Sequence, residues 1–327
     1  MKRLVRNSLL TLWAATTLTF ILIRQMPGDI VYQWALQLQA MQGIDFQQAE
    51  AQVKVMLNYQ PGQTIWTQYF SYLGGLLQGN LGTSLVYQIP VWKVIALALP
   101  WTLVIACGAV SLSFVLGTGL GLLAAWKRQT RLPDLLRLYA TVSQAIPDFL
   151  VGLLLVALFG IKFPIFPMRG AYSTFVEPGL NPAFLADVAY HAILPILAFA
   201  TPMIADWAMA AFASASSVRE ELFLVSAEAQ GLTVGRIVRS YLGPNALLPL
   251  VPGLASSFAG VLGGVVLVEA IFGYPGLGLF LARSIELRDF PLMQGLFLLT
   301  TVATIVANLA GELVIRRLDP RIAKEAA

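Results

Sequence analysis

The sequence predicts an all-α, polytopic membrane protein with six spans, and three observations carry that reading. Of 327 residues, 57% are hydrophobic and only 12% charged, about half the charge of a soluble domain this size. Six stretches are long enough to cross ~30 Å of hydrocarbon, which takes ~20 largely apolar helical residues. The basic residues, finally, are shared unevenly between alternate loops. Only helices satisfy every backbone polar group at membrane depth in a chain so patterned, so a water-soluble globular fold is all but excluded. One transmembrane domain, 1–327, is expected, without internal repeat, low-complexity tract or appended soluble domain.

The first span, near 7–26, rests on the apolar run Asn7 to Ile23. Lys2, Arg3 and Arg6 before that run also describe a secretory signal peptide. The run ends in Arg24-Gln25-Met26-Pro27 without a small-x-small cleavage site, so a retained helix is the expectation. Residues 31–86 carry helically spaced apolar positions, among them Val53, Met56, Leu57, Tyr69, Leu73 and Leu76, and are read as short external helices. Gly79 to Ser84 is turn-rich and reads as a loop.

The second span, near 98–126, lies in the charge-free run Val94 to Trp126. Trp101 and Trp126 bracket it at ~37 Å, close to the separation of the two interfacial aromatic belts. The third, near 136–161, is the run Leu138 to Ile161, broken only by Asp148. The fourth, near 190–218, lies in Val188 to Val218 with Asp206 inside it. The fifth, near 244–270, lies in Ser240 to Val268, and the sixth, near 290–315, in Phe290 to Gly311.

Lys and Arg resist translocation and collect on the cytoplasmic side. Residues 1–7, 127–137, 219–240 and 316–327 hold 14 of them in 52 residues, against 7 in the 117 residues of the opposite loops. The first set is therefore expected in the cytoplasm, with both termini inside. A net charge of +4 argues little for nucleic acid.

Catalytic signatures are lacking. There is no G-x-x-x-x-G-K-[ST] loop to cradle nucleotide phosphates, no H-E-x-x-H and no G-x-S-x-G. One histidine and one cysteine, Cys107, give no multi-histidine or cysteine-based metal site and no intrachain disulfide. His191 reads first as an interfacial residue near a helix start. Gly117, Gly119 and Gly121 include a G-x-x-x-G that lets helix backbones approach closely, a feature too common in membrane helices to indicate function.

The most informative cytoplasmic segment is the loop 219–248, with mixed charge and helical apolar spacing on either side of Gly231. It reads as helix, turn, helix, which suits either a protein partner or an ordinary ordered loop. Within it, Ser226-Ala227-Glu228-Ala229-Gln230-Gly231-Leu232, followed by Asn245-Ala246-Leu247-Leu248-Pro249, resembles the EAA coupling loop of ABC importer permeases in the dipeptide/oligopeptide/nickel family. The resemblance runs in order along the chain. It includes Met26-Pro27-Gly28-Asp29, Gly79 to Ser84, Ser143-Gln144-Ala145-Ile146-Pro147-Asp148-Phe149, Leu194-Pro195, Val268-Glu269-Ala270-Ile271-Phe272-Gly273-Tyr274-Pro275-Gly276-Leu277-Gly278 and Leu318-Asp319-Pro320-Arg321-Ile322.

This resemblance implies a type I importer permease of the bacterial inner membrane whose coupling helix docks on a cytoplasmic ATPase. Ser226, Ala227 and Gly231 would be the docking elements, with Asn245, Leu248 and Pro249 completing the coupling loop. Where the family usually has basic residues this helix carries Glu228 and Gln230, so its face is acidic. The implied partners are a second homologous permease, two ATPase subunits that bind the ATP and Mg, and an external binding protein meeting the loops around 29–93, 162–190 and 273–289. The chain itself would hold no cofactor and catalyse no reaction.

Asp148, Asp206, Glu269 and Glu312 lie within or at the edges of spans, where ionisable groups are costly unless they face a partner or a water-filled path. Asp206 is a candidate to line the pathway and attract a cationic substrate or N-terminal amine; a structural hydrogen bond explains it equally well. Glu269 reads as a contact at the external gate. A self-contained carrier driven by an ion gradient through Asp148, Asp206 and Glu312 is the alternative, and a scaffold without transport a third. Peptides, nickel chelates and other small solutes share this architecture, and the sequence does not separate them.

Overall fold

The computed structural model describes residues 2–25, 30–56 and 64–318, almost wholly in helices. The expected features Met26 to Asp29, Leu57 and Asp319 to Ile322 lie outside them. The chain divides into two compact units, Met1–Pro100 with Gly276–Ile305, and Trp101–Pro275 with Val306–Ala327.

The first unit contains α1 (Lys2–Arg24), α2 (Ile30–Gln42), α3 (Phe46–Met56), α4 (Ile65–Leu77), the start of α5 (Val91–Trp126), α13 (Leu277–Glu286) and most of α14 (Phe290–Leu318). Val31, Trp34, Ala35 and Leu38 of α2 meet Ala49 and Val53 of α3 and Leu85 in one apolar cluster. The buried carboxylate of Asp289 fastens the unit's loops. It accepts from the Ser84 hydroxyl and the Val86 amide, and from the Leu292 amide, thereby capping α14. The turn before it is held by Trp34, whose indole N–H donates to the Arg288 carbonyl at 3.1 Å. Gly295 lets α14 lie directly on α5, since a Cβ there would stand 2.4 Å from the Val91 side chain.

The second unit is organised on α8 (Pro182–Val218), which packs with α6 (Leu132–Ala145), α7 (Asp148–Leu155), α11 (Gly243–Leu247) and α12 (Gly253–Ile271). Helix α8 starts before the expected fourth span because Asn181 caps it, accepting from the Phe184 amide at 2.8 Å, and Pro182 occupies its first position. Gly117 and Gly121 of α5 face α8 without room for a side chain, whereas Gly119 faces open space.

Among the described residues four helices are long and apolar enough to cross a membrane: α5, α8, α12 and α14. The chain segment of α6 and α7 makes five if the pair counts as one span, although it is bent by 97°. Proline 147 supplies no N–H and drives Ile146 out of the helical region, to φ −109° and ψ 116°. The apolar run Leu138 to Ile161 is thus two helices, followed by a π-helical turn at Val156–Lys162. A similar interruption divides the fifth predicted span, where a short 3₁₀ turn containing Pro249, and then Pro252, separate α11 from the 19 residues of α12. Helix α1, 23 residues long, coincides with the first predicted span but is not among those four, so the six expected spans stand at four, or five with the bent pair, among the described residues.

Candidate functional site

Two sets of residues in the second unit have the makings of function: a hairpin between α8 and α12, and a group of polar side chains along the apolar helices.

The hairpin begins with α9 (Leu222–Ala229), turns at Gly231 and continues through α10 (Val234–Ile237) and a π turn into α11. Gly231 has φ +72°, a left-handed conformation that glycine adopts without strain and that reverses the chain directly after α9. Its amide donates to the Glu228 carbonyl at 3.0 Å, while the Leu232 amide reaches back to Ala227. One side of the hairpin is buried. Leu224, Ala227, Ile237, Leu242 and Ala246 pack with Ala125 at the end of α5 and Ala215 at the end of α8. The Ser214 hydroxyl adds a bond to the Ala246 carbonyl at 2.8 Å.

The residues named from sequence therefore divide in two. Ala227 faces inward and fastens the hairpin to α5 and α8. Ser226, Gly231, Asn245, Leu248 and Pro249 are exposed, with Ser226 and Asn245 hydrogen-bonded to the carbonyls four residues before them. Beside them lie Leu222, Phe223, Val225 and Val234, exposed apolar side chains that sequence reasoning did not single out. Their signal was present: in an eight-residue helix whose positions 224 and 227 face inward, apolar residues at 222, 223 and 225 must face out. Exposed apolar groups on a polar-rimmed hairpin mark a surface that meets a protein, a ligand or a membrane.

Arg219, between α8 and α9, was also overlooked. Its guanidinium donates to the carbonyls of Ala125 at 2.8 Å and Trp126 at 3.0 Å, the last of α5, and lies 4.8 Å from the centre of the Trp126 ring. A cation at the carbonyl end of a helix satisfies orphan acceptors and complements the helix dipole. The hairpin is thus tied to α5 at its root.

Within the apolar region the structure brings Asp148 and Asp206 together. Asp148 opens α7 just after the bend, and Asp206 is exposed on α8. Gln144, on the other side of the bend, donates to Asp206 at 3.3 Å, and the Asp206 charge acts on both Asp148 and Tyr139. Tyr139 donates to the Thr201 carbonyl on α8. Asp206 thus has the hydrogen bond that a structural role requires and the exposure that a pathway role requires.

Glu269 is fully buried near the end of α12, accepting from the Thr102 hydroxyl at 2.7 Å. Its carbonyl receives the Tyr274 amide at 2.9 Å. Tyr274 lies edge-on to Trp101, which stacks on Tyr172. The Tyr274 hydroxyl is buried without a hydrogen-bond partner, and burial, then the Glu269 charge, push its ionisation well above the usual tyrosine range. Glu312 is half-buried on α14. His191 is buried, its Nδ1 2.9 Å from the Asp187 carbonyl, and Asp187 in turn holds the Ser173 amide and hydroxyl. Among the described residues no three His, Cys, Asp or Glu side chains are grouped to hold a metal.

Comparison with known proteins finds relatives along most of the chain. Residues 117–324 match the family described as binding-protein-dependent transport system inner membrane component. The glutathione transport system permease protein GsiC of Escherichia coli O6:H1 is 30% identical over 316 residues, covering 95% of this chain and 94% of that protein. The di/tripeptide transport system permease protein DppB of Pseudomonas aeruginosa is 30% identical over 329 residues, 95% of each chain. The dipeptide transport system permease protein DppB of Escherichia coli is 29% identical over 323 residues, 94% of this chain and 93% of that one.

Proposed function

The chain belongs to the binding-protein-dependent transport system inner membrane component family, and from that premise we propose that it is one of two permease subunits of an ATP-driven importer for di- or oligopeptides. A related small solute, such as a tripeptide thiol or a nickel chelate, is the nearest variant of that cargo. The observation that carries the coupling role is the exposed apolar face Leu222, Phe223, Val225 and Val234, set beside the Gly231 turn.

In this reading the exposed face of the hairpin seats in a groove of a cytoplasmic ATPase, and Ser226, Gly231, Asn245, Leu248 and Pro249 border the contact. Closure of two such ATPases on ATP pulls the hairpin. Its buried side, with Ala227 at the centre, is continuous with the ends of α5 and α8, so the pull reaches those helices as a rigid displacement. The bend between α6 and α7, carrying Gln144 and Asp148 against Asp206, borders the pathway, and Glu269 with Thr102 steadies the end of α12. Both termini are cytoplasmic, six spans cross the membrane, the second permease is a different but homologous chain, and an external binding protein delivers cargo. The chain is no enzyme by itself: it lacks a phosphate-cradling loop, and ATP and Mg belong to its partners. No observation favours the ion-driven carrier.

Uptake of labelled dipeptide into vesicles carrying the assembled importer tests this. Accumulation that requires internal ATP and the binding protein is expected. Accumulation driven by a proton or sodium gradient without ATP would overturn the proposal.

A further inference from the structure

Helix α4 stands outside the six predicted spans, yet it packs on α1 and borders α14, where the first and sixth of them are predicted. It carries no charged residue, and Thr64 caps it, accepting from the Thr67 amide at 3.3 Å. Its two faces differ. Tyr69 and Tyr72 pack inward: the Tyr69 hydroxyl lies 2.6 Å from the Thr17 hydroxyl of α1, and Phe20 of α1 meets both rings at 5.3 and 5.5 Å. Tyr72 also borders a crevice with Thr16 and Thr19 of α1 and Phe297 and Thr301 of α14. Trp66, Phe70 and Leu77, at i, i+4 and i+11, with half-buried Leu73 at i+7, form a stripe that flanks this inner face. Within it Trp66 is 71%, Phe70 66% and Leu77 90% exposed.

The depth of this stripe follows from what the inner face touches. Thr17 lies seven residues before the end of α1, and Phe297 seven residues after the start of α14, each ~10 Å along its helix. Helix α4 is therefore held about two turns inside the ends of α1 and α14. At the same level α1 exposes Leu18, Ile21 and Leu22. Interfacial helices bury an apolar face ~5–10 Å into the boundary between headgroups and acyl chains, a depth comparable with that of the Tyr69 contact below the end of α1.

We propose that the Trp66, Phe70, Leu73 and Leu77 face of α4 is a lipid-binding surface, immersed in the leaflet next to the C-terminal end of α1. The helix thereby anchors the segment between the first two spans to the bilayer rather than lying in water. The uncharged stripe suits acyl chains, and Trp66 near its N-terminal end suits the carbonyl layer where tryptophan collects.

The test uses the full chain, purified with its co-purifying subunits and reconstituted in phosphatidylcholine nanodiscs. In a Cys107→Ala background, spin labels are placed at Phe70→Cys and Leu77→Cys, with Gln48→Cys, exposed on α3, as a water-facing reference. Collision with oxygen should be higher at the two α4 positions than at the reference, and collision with a nickel chelate several-fold lower. Nickel-chelate rates equal to the reference would place the stripe in water and overturn the proposal. Low rates with both reagents on an immobilised label would mean that protein covers it, which overturns the proposal equally.

Discussion

Replacing Gly231 separates a backbone role from a side-chain role at the turn of the hairpin. The residue sits at φ +72°, and a Cβ built there meets nothing within 4 Å, so steric crowding within the chain contributes nothing to the cost of alanine. What remains is the left-handed conformation, ~1–2 kcal/mol for an L-residue, or a factor of roughly 5–30 in the population of the folded turn. Asparagine tolerates that region better and should lose less. Proline demands φ near −65° and has no N–H for the Glu228 carbonyl, a combined penalty of ~3 kcal/mol or more. The expected order is Gly, then Asn, then Ala, then Pro far behind. The assay is ATP-driven uptake by the assembled importer, normalised to the amount of chain in the membrane. Equal losses for Ala and Asn would show that the site excludes side-chain volume, and a Pro variant with full uptake would show that the turn is not used; either result refutes the backbone argument.

Other substitutions probe the packing that supports the hairpin. Gly121→Ala should lower the thermal midpoint of the purified chain, because its Cβ would stand 2.3 Å from the Ala208 carbonyl, overpacking that costs ~1–3 kcal/mol; Gly119→Ala, facing open space, should be neutral or gain up to ~1 kcal/mol. Arg219→Met removes two bonds to the end of α5, roughly 2 kcal/mol, and should depress uptake more than ATP hydrolysis, measured together on one preparation. Thr102→Val withdraws a donor from buried Glu269 and should cost ~1 kcal/mol, whereas Tyr274→Phe removes an unpartnered hydroxyl and should leave stability unchanged within ~0.5 kcal/mol; thermal unfolding in detergent compares the two.

The long apolar runs made α5, α8 and α14 legible in the sequence, since nothing local competes with burial over thirty residues. Gly231 announced the hairpin because few other residues serve at that backbone angle. The breaks were written less plainly. Pro147, Pro249 and Pro252 all stand in the sequence, but prolines also occur inside α8, at 195 and 202, so a proline alone does not tell a bend from a continuing helix. Ala227 shows a second limit: a small residue suits a docking face and a tight internal contact equally, and only its neighbours Ala125 and Ala215, about 100 and 12 positions away, decide for the contact. Arg219 on the end of α5, Gln144 on Asp206 and Tyr69 on Thr17 are long-range pairings that no local pattern encodes. The depth of α4 depends on the last of these, which is why a helix expected outside the membrane packs against the spans.

The central claim is that this chain is driven by an ATPase docked on the α9 to α10 hairpin. Its most direct test is to purify the tagged chain from its native host in mild detergent and measure the ATPase subunits that come with it. The account predicts a P-loop ATPase and a second permease with the unaltered chain, and loss of the ATPase, but not of the permease, with Gly231→Pro at unchanged membrane abundance. A chain that purifies without an ATPase, or that retains it fully with Gly231→Pro, would contradict the account.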